Sequence, residues 1–255
     1  MIGKKDRKHM NCFRWIAGIW LISSLMLGGC GQDRLSESDN SGVGSVSEYF
    51  SERDFEADYD ESKSAVIMLQ GDSAASSSNA VHISGSTVTI IEEGTYILSG
   101  VLNNGMIIVD SEKTDKTQLV FDGVTIHNET SAAVYIKQSD KVFITTTPES
   151  INALSNGGSF ENVDENNIDA VIFSKEDLTI NGSGTMIITS PAGHGIVSKD
   201  SLTVTGGSYD INCASHGLAG KDDICIANAD LTIVSGKDGI HAENADDADA
   251  GFVYV

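Results

Sequence analysis

The chain has 255 residues, 40% of them hydrophobic, and a formal net charge of −21. So acidic a balance excludes nucleic acid as a partner, because phosphate binding needs a basic surface, and makes cations the expected ones.

The N-terminal residues read as an export signal rather than as fold. Lys4, Lys5, Arg7, Lys8 and Arg14 precede an apolar run from Trp15 to Leu27 that is too short for a comfortable membrane span. Its end, Leu27-Gly28-Gly29-Cys30, resembles the bacterial lipobox, in which the cysteine is lipid-modified and becomes the new N-terminus. Residues 1–29 are therefore expected to be removed. The chain is expected to be exported and held by Cys30 at the outer face of the cytoplasmic membrane or cell surface. Losing five basic residues and one acidic one takes the charge from −21 to −25. Both tryptophans, Trp15 and Trp20, leave with the signal, and the remaining arginines, Arg34 and Arg53, precede the repeats.

Residues 30–63 are acidic, rich in Ser and Gly, and without period, which predicts a flexible tether. Phe50 and Phe55 are the residues of this stretch that could dock on the folded part.

Residues 64–255 read as strands and turns. Three segments, 172–195, 196–217 and 218–239, say nearly the same thing, and the last two copies are each 22 residues long. A fixed period of short alternating strands and Gly-rich corners predicts an all-β, right-handed single-stranded parallel β-helix with rungs of about 22 residues. Aligning the copies gives two apolar columns that point inward: Val134, Ile172, Ile196, Leu218, Ile240, and Val142, Leu178, Leu202, Ile224. Parallel rungs about 4.8 Å apart would stack like on like. Residues 147–170 read as an inserted loop whose Glu161, Asp164, Glu165 and Asp169 make a second candidate cation or ligand site. The sequence ends in a strand, 251–255, as a truncated copy of a longer protein would. Cys213 and Cys225 fall on different walls, the first inward and the second outward, which predicts free thiols.

The polar columns carry the chemistry. One runs Lys137, Lys175, Lys199, Lys221, Glu243, and beside it run Glu176, Asp200, Asp222 and Asn244. Carboxylates one rung apart repel by about 1 kcal/mol in water and about 3.5 at an effective dielectric of 20. The neighbouring lysines could neutralise them as a surface charge ladder. Calcium is the sharper expectation, because carboxylates on adjacent rungs stand about twice a Ca–O distance apart. The best cluster is Asp238, Glu243, Asn244, Asp246, Asp247 and Asp249 beneath Asp222 and Asp223, with Asp200 above. His194 and His216 share a corner with Asp238, each followed by glycine. They read as a polar corner ladder before a turn glycine, or as a transition-metal pair. Tyr135 and Phe173 share an outward column with His241 and could stack on sugar rings, beside Lys175, Lys199 and Lys221.

The phrases EEGTYILSGVLNNGMIIV, AVIFSKEDLTINGSG, GIVSKDSLTVTGG and KDGIHAENADDADAGFVYV resemble the clostridial carbohydrate-binding surface lipoproteins of parallel β-helix fold that are themselves similar to pectate lyases. The resemblance implies bound calcium and affinity for cellulose and for acidic plant cell-wall sugars such as polygalacturonate. Lyases of that kind use an arginine base, and no arginine lies in 64–255. Gly193-His194-Gly195 matches one polygalacturonase motif, but Asp222-Asp223 follows it instead of preceding it and Arg-x-Lys is absent. The expectation is a non-catalytic, calcium-dependent binder of acidic plant polysaccharide, with a pectate-lyase-like enzyme or an adhesin without sugar ligand as alternatives.

Overall fold

A computed structural model describes residues 46–161 and 163–255. The leader, Cys30 and the first part of the tether lie outside the described residues.

The sequence alternates because its strands each bury one face. Met186 and Ile188 in Thr185–Ser190, and Tyr209 and Ile211 in Ser208–Cys213, are buried, while Ile187 and Asp210 between them face out. Strands that alternate in this way stack in parallel and in register. Val134 pairs with Ile172, Ile172 with Ile196, Ile196 with Leu218 and Leu218 with Ile240. Val142, Leu178, Leu202 and Ile224 do the same on a second wall. Both columns enter one continuous aliphatic core. Each fully buried Ile or Leu there contributes about 1.5–3 kcal/mol.

The expected single-stranded parallel β-helix of equal rungs is corrected by the topology. The strands divide between a 13-stranded sheet and an 8-stranded sheet. The long strand Lys116–Asn128 joins two series within the larger sheet. Its first half pairs with Lys141–Thr146, and its second half pairs with Ile151–Asn156. The 8-stranded sheet is mixed, because Val81–Ser84 and Thr87–Ile90 pair antiparallel, as Ala65–Gly71 and Ala74–Ser76 do in the larger sheet. A 22-residue period reports only the stacking of the last copies, not how the earlier, less regular strands close the sheets.

Two further expectations change. Part of the predicted insertion, Ile151–Asn156, is a sheet strand with Leu154 in the core. The tether boundary also moves, because the chain is already packed well before residue 64. Phe50 is buried, and a 3-10 turn at Glu52–Phe55 sets Asp54 against the larger sheet, 3% exposed. Asp54 Oδ1 pairs with Lys141 Nζ at 2.8 Å and accepts a hydrogen bond from Thr179 Oγ1 at 2.6 Å. The Asp54 and Glu56 carbonyls accept from Asn181 Nδ2, and Thr205 Oγ1 donates to the Asp54 carbonyl. One carboxylate and two backbone carbonyls of the predicted spacer are thus acceptors for Thr, Asn and Lys side chains of the larger sheet. Arg53 comes with it, 4.3 Å over the Phe143 ring, with Nη2 donating to Gln118 Oε1.

Candidate functional site

The outer face of the 8-stranded sheet carries a groove of about 400 Å³. Its floor is made by Val197 and Ala219, which alternate outward from the buried Ile196 and Leu218. Lys199 and Lys221 follow the floor residues on one side, His194 and His216 precede them on the other, and His241, in register with Ala219, continues the floor toward Glu243 and Asp246. A lysine follows each of two successive strands, His194–Ser198 and Leu218–Gly220, so the two ammonium groups belong to adjacent layers about 4.8 Å apart. Lys199 Nζ lies 5.4 Å from the Phe173 ring centroid, a cation–π distance, and Lys221 Nζ lies 3.5 Å from Asp246. Lys175 lines a second groove of about 440 Å³ with Lys137 and Asp164.

The histidines form a stack. Ring centroids are 5.1 Å apart for His194 and His216 and 4.1 Å for His216 and His241. His194 Nδ1 accepts the His216 amide, and His216 Nδ1 accepts the Asp238 amide, so each layer fixes the ring of the one before. Burial lowers the pKa of both His194 and His216, which keeps them neutral in ordinary buffers. The glycines after the first two rings are needed for clearance, not for a turn. A Cβ at Gly195 would stand 2.6 Å from the Gly217 carbonyl oxygen, and one at Gly217 would press into Ile233 Cγ2.

The acidic residues expected to hold calcium do not converge. Asp238 Oδ2 faces His216 Nδ1 at 3.4 Å and His241 Nδ1 at 3.2 Å, and Glu243 Oε2 faces His241 Nε2 at 3.4 Å. Asn244 Oδ1 is spent on the amides of Asp246 and Asp247, and Asp247 Oδ1 on that of Asp249. Neighbours Asp222 and Asp223 part company. Asp223 turns to the larger sheet and accepts from Ser201 Oγ at 2.8 Å, while Asp222 Oδ1 accepts from Asn244 Nδ2 at 2.7 Å. What remains of the carboxylate ladder is Asp200 with Asp222. Burial, and then the charge of Asp177 and the contact with Asp222, push Asp200 up to about 6. Among the described residues, the one group of three His, Cys, Asp or Glu donors lying within 4.8 Å of one another is His216, Asp238 and His241. Sequence reading sets His216 and Asp238 at one corner and His241 in another column, and the stacking of His241 on His216 is what unites them.

Tyr135 and Phe173 share the register column that leads to His241, but neither is open to a sugar. Each is 1% exposed, packed with Ala170 and with Phe160 and Ile168 of the loop that precedes Ala170–Ser174. Tyr135 donates to Asp164 Oδ2 at 2.9 Å, so the acidic loop is a cover for the aromatic pair. Cys213 and Cys225 are both free and buried. Cys225 does alternate outward, yet it is only 2% exposed, and burial pushes its thiol up to about 12.

A parallel-stranded domain with a shallow, lysine-sided groove on one sheet has the form of a ligand-binding surface module. The chain belongs to the family of carbohydrate-binding domain-containing proteins, whose match runs over residues 84–255. A carbohydrate-binding domain-containing protein of Acetivibrio thermocellus is 29% identical over 205 residues, 79% of this chain and 66% of the relative. The chain thus spans about two thirds of the length of the curated relative it matches. In structure it is similar to the polysaccharide lyase-like protein from C. thermocellum, solved as a gadolinium derivative, at 33% identity and a TM-score of 0.71 over 75% of this chain and 78% of that one.

Proposed function

We propose that this chain is a non-catalytic binder of acidic plant cell-wall polysaccharide of the polygalacturonate type, held at the cell surface through lipid on Cys30, and that the groove between Lys199, Lys221 and the histidine stack receives it. The observation that carries this reading is the pair of lysines on adjacent layers beside a small apolar floor. On a strongly acidic protein, two cations beside one groove are the place where uronate carboxylates gain more than they lose to repulsion. The imidazoles of His194 and His216, whose pKa values burial lowers, supply hydrogen-bonding edges for hydroxyls.

Calcium belongs to the proposal through Asp200 and Asp222 in place of the wider acidic cluster. A carboxylate that keeps its proton to about pH 6 beside a second carboxylate is a site where a hard divalent ion can take the proton's place. A lyase reading is the less favoured one. The arginine that reaches the sheet, Arg53, is committed to Phe143, Gln118 and Glu56, and Lys141 to Asp54.

The test is calorimetric titration with polygalacturonate and with cellulose fragments, with calcium and with chelator, beside an ultraviolet assay for unsaturated product. Uronate binding without product supports the proposal. Product formation would make the chain a lyase, and no heat from either sugar would leave the adhesin.

A further inference from the structure

A cavity of about 360 Å³ lies where residues 48–54 meet the outer face of the larger sheet. Four carboxylates line it, those of Glu48, Asp54, Asp177 and Asp223, against one ammonium, that of Lys141. The ammonium is already spent, because Lys141 Nζ pairs with Asp54 Oδ1 at 2.8 Å. Asp54 is spent as well, its other oxygen taking the Ser51 amide at 2.9 Å and the Ser51 hydroxyl at 2.7 Å. Asp223 accepts from the Ser201 hydroxyl at 2.8 Å and from the Cys225 thiol at 3.6 Å.

Two polar atoms are left over. Asp177 Oδ1 accepts the Ser201 amide at 3.2 Å, while Oδ2 has no hydrogen-bond partner among the described residues. Burial raises the Asp177 pKa above its ordinary value, and the Ser201 amide and the charge of Lys141 do not offset it, so the ionised form lacks an adequate counter-ion. The second atom is Thr203 Oγ1. Thr203 alternates outward between the core residues Leu202 and Val204, toward the segment that carries Asp54. Thr179 and Thr205 in the same face donate to the Asp54 carboxylate and carbonyl, but Thr203, only 5% exposed, has no hydrogen-bond partner among the described residues. A hydroxyl so enclosed costs about 1–3 kcal/mol if nothing meets it, and it borders the cavity. Tyr49 completes the lining, its ring held in advance by stacking on Tyr254 at 4.2 Å and by an edge contact with Phe252 at 5.7 Å.

We infer that this cavity binds a small hydroxylated ammonium of the amino-sugar class, with the ammonium on Asp177 Oδ2 and Thr203 Oγ1 and the sugar ring against Tyr49. An ammonium carries three donors and no acceptor, which matches a lining of acceptors with excess negative charge. An aromatic ring beside it adds a stacking surface and a cation–π partner. A uronate would be repelled here. The carboxylates do not close into a metal cage either, since among the described residues no three of their oxygens lie within 4.8 Å of one another. The cavity lies on the larger sheet and the lysine groove on the 8-stranded one, so the two sites stand or fall separately.

The experiment is calorimetric titration of the full chain with glucosamine in neutral, low-salt buffer, paired with N-acetylglucosamine, which keeps the ring and loses the charge. Glucosamine should bind one equivalent, and the acetylated sugar about 10- to 100-fold more weakly, as expected for a hydrogen bond between charged groups. Asp177→Asn, which keeps the shape and the bond from the Ser201 amide, should weaken glucosamine by a similar factor. Thr203→Val, which exchanges the hydroxyl for a methyl group, should weaken it about 2- to 10-fold. The Lys199→Ala, Lys221→Ala double variant should bind glucosamine as wild type does. Melting curves confirm that each variant is folded. No heat from glucosamine, equal affinity for the two sugars, or wild-type affinity in both Asp177→Asn and Thr203→Val would overturn the assignment.

Discussion

Asp54 Oδ1 accepts a 2.6 Å hydrogen bond from Thr179 Oγ1 across 125 residues of sequence, and the same oxygen holds Lys141 Nζ at 2.8 Å. Burial by itself would raise this carboxyl, but the bonds from Lys141, Thr179 and Ser51 outweigh it and hold its pKa below the ordinary value. The segment before the first sheet strand is thereby fastened to the outer face of the larger sheet.

Replacing Asp54 by Ala leaves Lys141 as an unpaired, largely buried cation, which is expected to cost about 3–5 kcal/mol. Chemical denaturation should read that loss, and amide exchange over residues 46–57 should accelerate most. Because the native pKa is depressed, this contribution is complete above the unfolded value of 3.8 and is lost as pH falls through the native value. Wild-type exchange rates in the Ala variant would remove the fastening role.

Asp200 titrates in the opposite sense. Between about pH 4 and about pH 6 the native side chain keeps a proton that the unfolded chain has released, so stability falls as pH rises through that window and then levels. Asp200→Asn should flatten this slope. Calcium should raise the melting temperature of wild type above about pH 6, do so less as the pH is lowered toward 5, and leave the Asp200→Asn variant unaffected. An equal calcium shift in both proteins would place the ion elsewhere.

For the groove, Lys199→Ala together with Lys221→Ala should lower polygalacturonate affinity by at least about tenfold, as expected for the loss of charged hydrogen bonds. The residual binding should be less sensitive to salt than that of wild type. Lys137→Ala, whose ammonium is already paired with Asp110 at 2.7 Å, is the comparison and should bind nearly as wild type does. Equal losses in both would point to general charge in place of a groove.

Two glycines separate backbone freedom from close approach. Gly182 has φ +101 and a Cβ there would collide with the Thr146 carbonyl oxygen, whereas Gly123, at φ +74, has nothing within 4 Å. Gly182→Ala should therefore cost more than the backbone strain of about 1–3 kcal/mol, and Gly123→Ala no more than that. Thermal melts of the two variants check the order.

The legible part of the fold was its stacking. Ile172, Ile196 and Leu218 could be placed over one another from sequence because identical spacing with alternating burial leaves a strand one register that keeps its apolar face inside. The division into two sheets was not legible, since it depends on Lys116–Asn128 pairing with two different neighbours along its length. Tyr135 and Phe173 were placed in the right column but on an open surface, because nothing local says that the loop carrying Phe160 and Ile168 folds back over them.

By itself, then, the sequence determined the all-β stacked core, the lysine column, the free cysteines and the histidines at successive corners, each of which follows from spacing within one strand or one repeat. Tertiary structure decided what those columns face. It drew Asp54 onto Lys141, split Asp222 from Asp223, covered the aromatic pair and brought His241 against His216 and Asp238. Periodicity fixes neighbours along a stack, whereas contacts between a stack and the segments that cross it are set by packing and complementary charge, which carry no period to read.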